Sequence, residues 1–240
     1  MPRSLAFLAV FAAASLAHAD DSDWINLSNP KETSVWKGKF EGWVFTESVT
    51  QNEKSPKALA FTGEGAILVN GEKGRAKDLV SVKSFTDVEL HAEFLIAKGS
   101  NSGIKFHAVY EIQILDSFGA KELSGDSCGG IYPRAELKPK YHHIDKGIAP
   151  KVNAAKPAGE WQTLDATFLS PRIDKDGKKI ANAKIVKATL NGQLIHEDQE
   201  LLTPTGSNWT KKEVAEGPIL LQGDHGPVAF RNVKVRELKK

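Results

Sequence analysis

Lys105 and His107 stand two residues apart, as do Glu111 and Gln113 a little further on. Side chains of an extended chain alternate between two faces, so the run NSGIKFHAVYEIQILD reads as two strands, residues 103–107 and 110–116, with a very short connection. Ile104 and Phe106 take one face of the first strand, Lys105 and His107 the other. In the second, Tyr110, Ile112 and Ile114 oppose Glu111 and Gln113. One face then carries a cation, an imidazole, a carboxylate and an amide. From such groups proton-transfer and hydroxyl-binding sites are assembled, whereas a face that is merely wet is usually written with Lys, Glu and Thr.

A second polar cluster lies near the carboxyl end. Residues 218–222 put Ile219 and Leu221 inward and Leu220 and Gln222 opposite, then run into the turn Gly223-Asp224-His225-Gly226-Pro227. Residues 228–238 alternate Val228 and Phe230 against Arg231 until Asn232 breaks the phase ahead of Val233 and Val235. That break reads as a β-bulge, a device that often re-aims a side chain beside a site. Taken singly, His225 is an ordinary turn histidine and Arg231 an ordinary strand arginine. With Gln222 they repeat the polar variety of the central hairpin.

The elements that must hold these groups are strands throughout. Residues 88–96 alternate Val88, Leu90, Ala92, Phe94 and Ile96 against Glu89, His91 and Glu93, and the pattern expects them to pair with the central hairpin. Residues 58–62 and 66–69 flank Gly63-Glu64-Gly65, followed by the turn signal Asn70-Gly71. Further strands are expected at 79–82, at 161–169, and at 184–190 and 193–197 across Asn191-Gly192, while Asp176-Gly177 reads as a hairpin turn. Residues 20–61, with Trp24, Trp36 and Trp43, read as an entry strand and loops that wrap a sandwich. No long helical stripe follows residue 19. The expected fold is all-β, one sandwich domain over residues 20–240.

Composition narrows the rest. Residues 1–19 have an early Arg3, an apolar run and Ala17-His18-Ala19, the pattern of a secretory signal peptide too short to span a membrane; the protein is expected to be exported, to the periplasm or the exterior if bacterial. A formal charge of +2 over 240 residues gives no electrostatic case for nucleic acid or anionic membrane as a partner. The only cysteine, Cys128, leaves no intramolecular disulfide and no Cys-based zinc site; beside Gly129-Gly130 it reads as a buried or turn-adjacent thiol. Between 117 and 160 the pattern lapses, apart from a possible strand at 128–132. So long a connection reads equally as a surface excursion or as a lid over a site. His142-His143 within it point to opposite sides of an extended segment and are assigned no ligand role.

The segments NSGIKFH, YEIQILD, KPAGEWQTLDATF, TLNGQ and GPILLQGDHGPVAFRNVKVREL resemble, in order, the 3-keto-disaccharide hydrolase family, whose members are also described as 3-keto-glucoside 1,2-lyases and 3-keto-2-hydroxyglucal hydratases. The resemblance implies a concanavalin A-like jelly roll, two antiparallel sheets with a sugar site on the concave face. It also implies motif positions at Asn101, Gly103, Glu111, Gln113, Asp116, Gln222, His225, Arg231 and Asn232. This chain departs from the family in a shorter connection between His107 and Tyr110 and in Asp224, an added residue before His225-Gly226. Residues 117–160 show little resemblance, so substrate preference does not carry over.

The implied chemistry begins at a C3 ketone, which acidifies the C2 proton of a sugar. A base removes that proton, the enolate expels the C1 substituent, and water can add back. Glu111 and His225 are the candidates for proton transfer, and Asn101, Lys105, His107, Gln113, Gln222 and Arg231 for binding an oligosaccharide or glycoside. A divalent metal polarising the ketone would make Glu111 a ligand instead. Two rivals stand beside this reading. A retaining glycosidase on the same fold needs a second carboxylate, yet the same-face neighbour of Glu111 is Gln113, and Asp116 faces away. A non-catalytic carbohydrate-binding module would favour exposed aromatic platforms, for which the early tryptophans are candidates.

Overall fold

The computed structural model describes residues 23–38 and 40–239; the signal-peptide pattern at 1–19 lies outside them. The chain lays down β1 (Ile25–Asn26), β2 (Val44–Gln51), β3 (Leu59–Val69), β4 (Leu79–Phe85), β5 (Val88–Ile96), β6 (Asn101–Phe106), β7 (Tyr110–Leu115), β8 (Ala135–Glu136) and β9 (His142–His143). It continues with β10 (Gln162–Leu169), β11 (Arg172–Ile173), β12 (Lys179–Ala181), β13 (Ala183–Leu190), β14 (Gln193–Leu201), β15 (Gly217–Leu221) and β16 (Val228–Glu237). Among the described residues no helix is long and apolar enough to cross a membrane.

These strands make an antiparallel two-sheet jelly-roll sandwich of the concanavalin A-like kind. The larger sheet runs β14-β13-β10-β5-β16-β3-β2 with β1 against β16, and the smaller runs β4-β15-β6-β7. Alternation explains the layer between them. Leu90, Ala92 and Phe94 of β5, Phe168 of β10 and Phe230 of β16 pack inward from one sheet, and Ile104, Phe106, Tyr110, Ile112, Ile219 and Leu221 from the other, into a single buried cluster. Phe106 stacks on Phe168 with centroids 4.7 Å apart, joining the sheets at the centre.

Two expectations are corrected. β5 does not pair with the β6–β7 hairpin, because its two edges are already hydrogen-bonded to β10 and β16; residues 97–100 carry the chain over to the smaller sheet. Residues 59–69 form one strand rather than two, since the Gly63-Glu64-Gly65 segment is absorbed as an irregularity against β2, with Gly63 at φ +74. The Asn191-Gly192 hairpin forms as expected, with both residues at positive φ. Cys128 is buried, and burial pushes its thiol up to about 12, which leaves it inert.

Candidate active site

Register places the polar groups. On β6 and β7, Lys105 lies opposite Glu111 and Gly103 opposite Gln113. The β15 end adds Gln222, whose N–H donates to the Gly103 carbonyl at 2.9 Å. Since Ile104, Ile112, Ile114 and Leu221 face the core, these polar side chains stand on the opposite, outer face of the smaller sheet. Gln222, Gly103 and Gln113 form one row across it, with no side chain at the middle position. Both amide atoms of Gln113 and Oε1 of Gln222 are buried without a hydrogen-bond partner among the described residues.

Glu111 is 3 % exposed, and its Oε2 sits 3.1 Å from Lys105 Nζ. Burial raises its pKa above the ordinary carboxylate range; Lys105 and then His225 pull the other way, and Asp78 adds to the rise. His225 comes from the turn between β15 and β16. That turn is clamped by Asn70, whose Nδ2 donates to the carbonyls of Gly223 and Gly226, each at 2.8 Å, while its Oδ1 accepts from Val228 N–H. Arg75 donates to the Asp224 carbonyl at 2.8 Å and Asp78 accepts from Gly223 N–H. The His225 ring is exposed, with Nδ1 paired to Asp224 Oδ1.

The long connection after β7 supplies the facing wall. Residues 128–132 do run along β7, through Gly129 N–H to Gln113 O, Gln113 N–H to Gly130 O, and Tyr132 N–H to Glu111 O. The chain then forms the β8–β9 ladder and returns to Ile131 through Ile148. This brings Tyr132 and Tyr141 over the sheet. The pocket so enclosed, of roughly 420 Å³, is lined by Asn101, Lys105, Glu111, Tyr132, Tyr141, Gln222 and His225, with residues 206–208 at its rim. A neighbouring hollow of about 390 Å³ is lined by Ile131, Ile148, Leu201 and Leu202 together with polar residues of β14 and the loop after it, and the Arg134–Asp145 ion pair there is a loop brace.

A model of the 3-keto-alpha-glucoside-1,2-lyase-like domain matches residues 23–236. The chain belongs to that family. A 3-keto-disaccharide hydrolase of Bacteroides thetaiotaomicron is 23% identical to it over 248 aligned residues, covering 91% of this chain and 80% of that one. A crystal structure of a candidate glycosyl hydrolase from Parabacteroides distasonis ATCC 8503 superposes with a TM-score of 0.64 at 26% identity, over 90% of this chain and 84% of that one. A second from the same organism, at 19% identity and a TM-score of 0.56, covering 90% and 99%, shares the fold.

Of the candidate site residues expected from the sequence, the pocket gathers Asn101, Lys105, Glu111, Gln222 and His225, with Gln113 beside Glu111 on the same strand face. Two others lie elsewhere. His107 and Ala108 adopt φ +53 and +56, forming the tight hairpin turn, and this takes His107 out of the strand alternation. Its ring is buried edge-on against Phe168, with Nε2 3.2 Å from Ser170 Oγ, and burial lowers its pKa. Arg231 points to the outer face of the larger sheet, so both sheets separate it from Glu111. There it pairs with Glu93 at 2.6 Å and lies over the Trp161 ring at 4.0 Å. The bulge at Asn232 exists, with φ +50, but it directs that amide to the same Glu93 at 2.6 Å. Asp116 accepts from Gly99 N–H at 2.8 Å and braces the β5–β6 connection.

Sequence reasoning missed Tyr132 and Tyr141. The available signal was a tyrosine directly before His142-His143 in a polar connection. A metal fits poorly: among the described residues no three His, Cys, Asp or Glu side chains are grouped to hold one, and the cation facing Glu111 is the Lys105 ammonium.

Proposed function

We propose that this member of the family cleaves 3-keto-glycosides by removing the C2 proton and expelling the C1 substituent, with net hydrolysis once water adds back. The observation that carries the reading is the buried Glu111–Lys105 pair at the base of a pocket otherwise walled by amides, phenols and one histidine. A carboxyl group whose pKa is lifted by burial is a stronger base once ionised, and suits abstraction from a weak carbon acid. The ammonium beside it answers the charge that the base creates, since the enolate oxygen is on the carbon next to the one deprotonated. His225, exposed and held through Nδ1 by Asp224, is suited to carry the abstracted proton between Glu111 and solvent. The unpartnered amides of Gln113 and Gln222 offer donors and acceptors for sugar hydroxyls.

The rivals find less support. Among the described residues that line the pocket, Glu111 is the one carboxylate, whereas a retaining glycosidase needs a pair about 5–5.5 Å apart. Trp36 and Trp43 are buried, their ring N–H groups donating to the carbonyls of Leu27 and Lys77, so neither forms a platform for a binding module. The amino-terminal pattern favours action outside the cytoplasm.

The test is incubation with a 3-keto-disaccharide beside its unoxidised parent, with deuterium at C2 of the first. Cleavage of the oxidised sugar alone, with loss of the label to solvent, is the expected result. Cleavage of the parent would favour the glycosidase, binding without turnover the module, and full retention of deuterium would defeat C2 abstraction.

A further inference from the structure

Four side chains of the 117–160 connection form one line, an ion pair followed by two hydrogen bonds. Asp126 Oδ2 is 3.2 Å from His143 Nδ1, His143 Nε2 is 3.1 Å from Tyr132 Oη, and Tyr132 Oη is 2.7 Å from Tyr141 Oη. The imidazole stands edge-on to both phenol rings, at 5.3 and 5.6 Å between centroids. The two-residue strand β9 makes this possible, because it turns His142 away to Lys140 and Glu136 while His143 faces the tyrosines. Both phenols line the pocket that holds Glu111, and the histidine lies behind them.

We propose that Tyr141, Tyr132, His143 and Asp126 form a proton relay serving the glycosidic oxygen, donating to the departing aglycone and later accepting from the water that adds to C1. The inference rests on the elimination reading and completes it, since Glu111 and Lys105 attend C2 and the ketone but leave the C1 oxygen without an acid. The Asp126 carboxylate beside Nδ1 favours a proton on that nitrogen by its charge and leaves Nε2 to exchange with Tyr132. With His143 as imidazolium, hydrogens point from Nε2 to Tyr132, from Tyr132 to Tyr141, and from Tyr141 into the pocket. With His143 neutral and its Nδ1 still protonated, the hydrogen bonds between Nε2 and Tyr132 and between Tyr132 and Tyr141 are reversed. These two polarities are the two halves of the cycle.

In elimination the C2–H bond breaks and its proton goes to Glu111. The C1–O bond breaks with its electron pair on the aglycone oxygen, which takes the Tyr141 proton. Tyr141 is refilled from Tyr132, and Tyr132 from His143. In hydration the water oxygen bonds to C1, its proton returns along the line to His143, and C2 recovers a proton from Glu111. No electrons leave the system. Burial lifts both phenols above their ordinary range, with the Glu111 charge contributing to each; they are therefore neutral O–H groups, able to pass a proton on.

The experiment compares wild type and Tyr141→Phe on 3-keto-glucosides with a methyl or a 4-nitrophenyl aglycone, each deuterated at C2. A poor leaving group needs an acid and a good one does not. The variant is expected to lose about 10²–10⁴-fold in kcat on the methyl substrate, to react with the nitrophenyl substrate at nearly the wild-type rate, and to wash deuterium out of unreacted methyl substrate. His143→Gln and Asp126→Asn, which act through the tyrosines, should show the same split in smaller measure. Equal losses on both aglycones with no washout would overturn the relay while leaving the elimination intact. A wild-type enzyme that cleaves neither substrate would overturn the elimination reading and the relay with it. Tyr132→Phe, which keeps the ring, carries the same comparison should Tyr141→Phe fail to fold.

Discussion

A Cβ added at Gly103 would stand 2.2 Å from Glu111 Oε1. The carboxylate leans across the bare backbone of β6, and this close approach allows it to lie low in the pocket beside Lys105. Gly103→Ala should push the carboxylate aside without disturbing the core, since the nearest atom is the free end of a side chain. Displacements near 1 Å in a reacting group cost about 10²-fold. Steady-state kinetics should show a loss of that order with an unfolding midpoint close to wild type. Unchanged turnover would mean that the position of Glu111 does not matter.

The acid side of the pH profile offers a second check. Glu111 acts as base only when ionised, and burial raises its pKa, so kcat/KM should fall as pH drops through a value above the ordinary glutamate pKa of about 4.3. Lys105→Met removes the leading opposing influence and should move that limb to still higher pH, with lower kcat. The stability sign is the reverse of a salt-bridged carboxylate. The folded state holds the Glu111 proton more tightly than the unfolded chain, so this group's contribution falls as pH rises from the unfolded towards the folded pKa. A limb at or below the usual carboxylate range would remove Glu111 from the role of base.

Asn70 ties structure to activity from the far end of β3. Asn70→Ala breaks its three hydrogen bonds to the turn that carries His225 and leaves buried carbonyls and an N–H without partners. The expected cost is about 2–4 kcal/mol in denaturant unfolding, together with reduced turnover of the folded fraction. A variant as stable as wild type would show that the turn is held by Arg75 and Asp78 alone.

His225 and Arg231 should behave in opposite ways. His225→Ala should lower kcat strongly and respond to added imidazole, because an exposed proton carrier can be replaced from solution. Arg231→Ala should cost about 0.5–1 kcal/mol of stability through its lost contacts with Trp161 and Glu93, with kcat near wild type. Kinetics of the two variants side by side decide the matter. A severe catalytic defect at Arg231 would contradict its placement behind both sheets.

Local periodicity alone determined much of this protein. The β6–β7 hairpin, the Asn191-Gly192 turn, the bulge at Asn232, and the inward set Ile104, Ile112, Ile219 and Leu221 all follow from alternation and turn chemistry. So does the sharing of one face by Lys105, Glu111 and Gln113. Alternation assigns a side chain to one of two faces, but it does not say what each face meets. Arg231 and Glu111 both point away from the core, yet from different sheets, and only the packing of those sheets puts them on opposite sides of the molecule. His107 left its expected face because the tight turn at residues 107–109 holds it at positive φ, a backbone constraint that the polar pattern does not register. Tyr132 and Tyr141 reached the pocket, with His143 behind them, because residues 128–132 hydrogen-bond along the edge of β7 and the ladder beyond folds back over the sheet. Those contacts join segments distant in the chain, so their geometry exists only once the sandwich has formed.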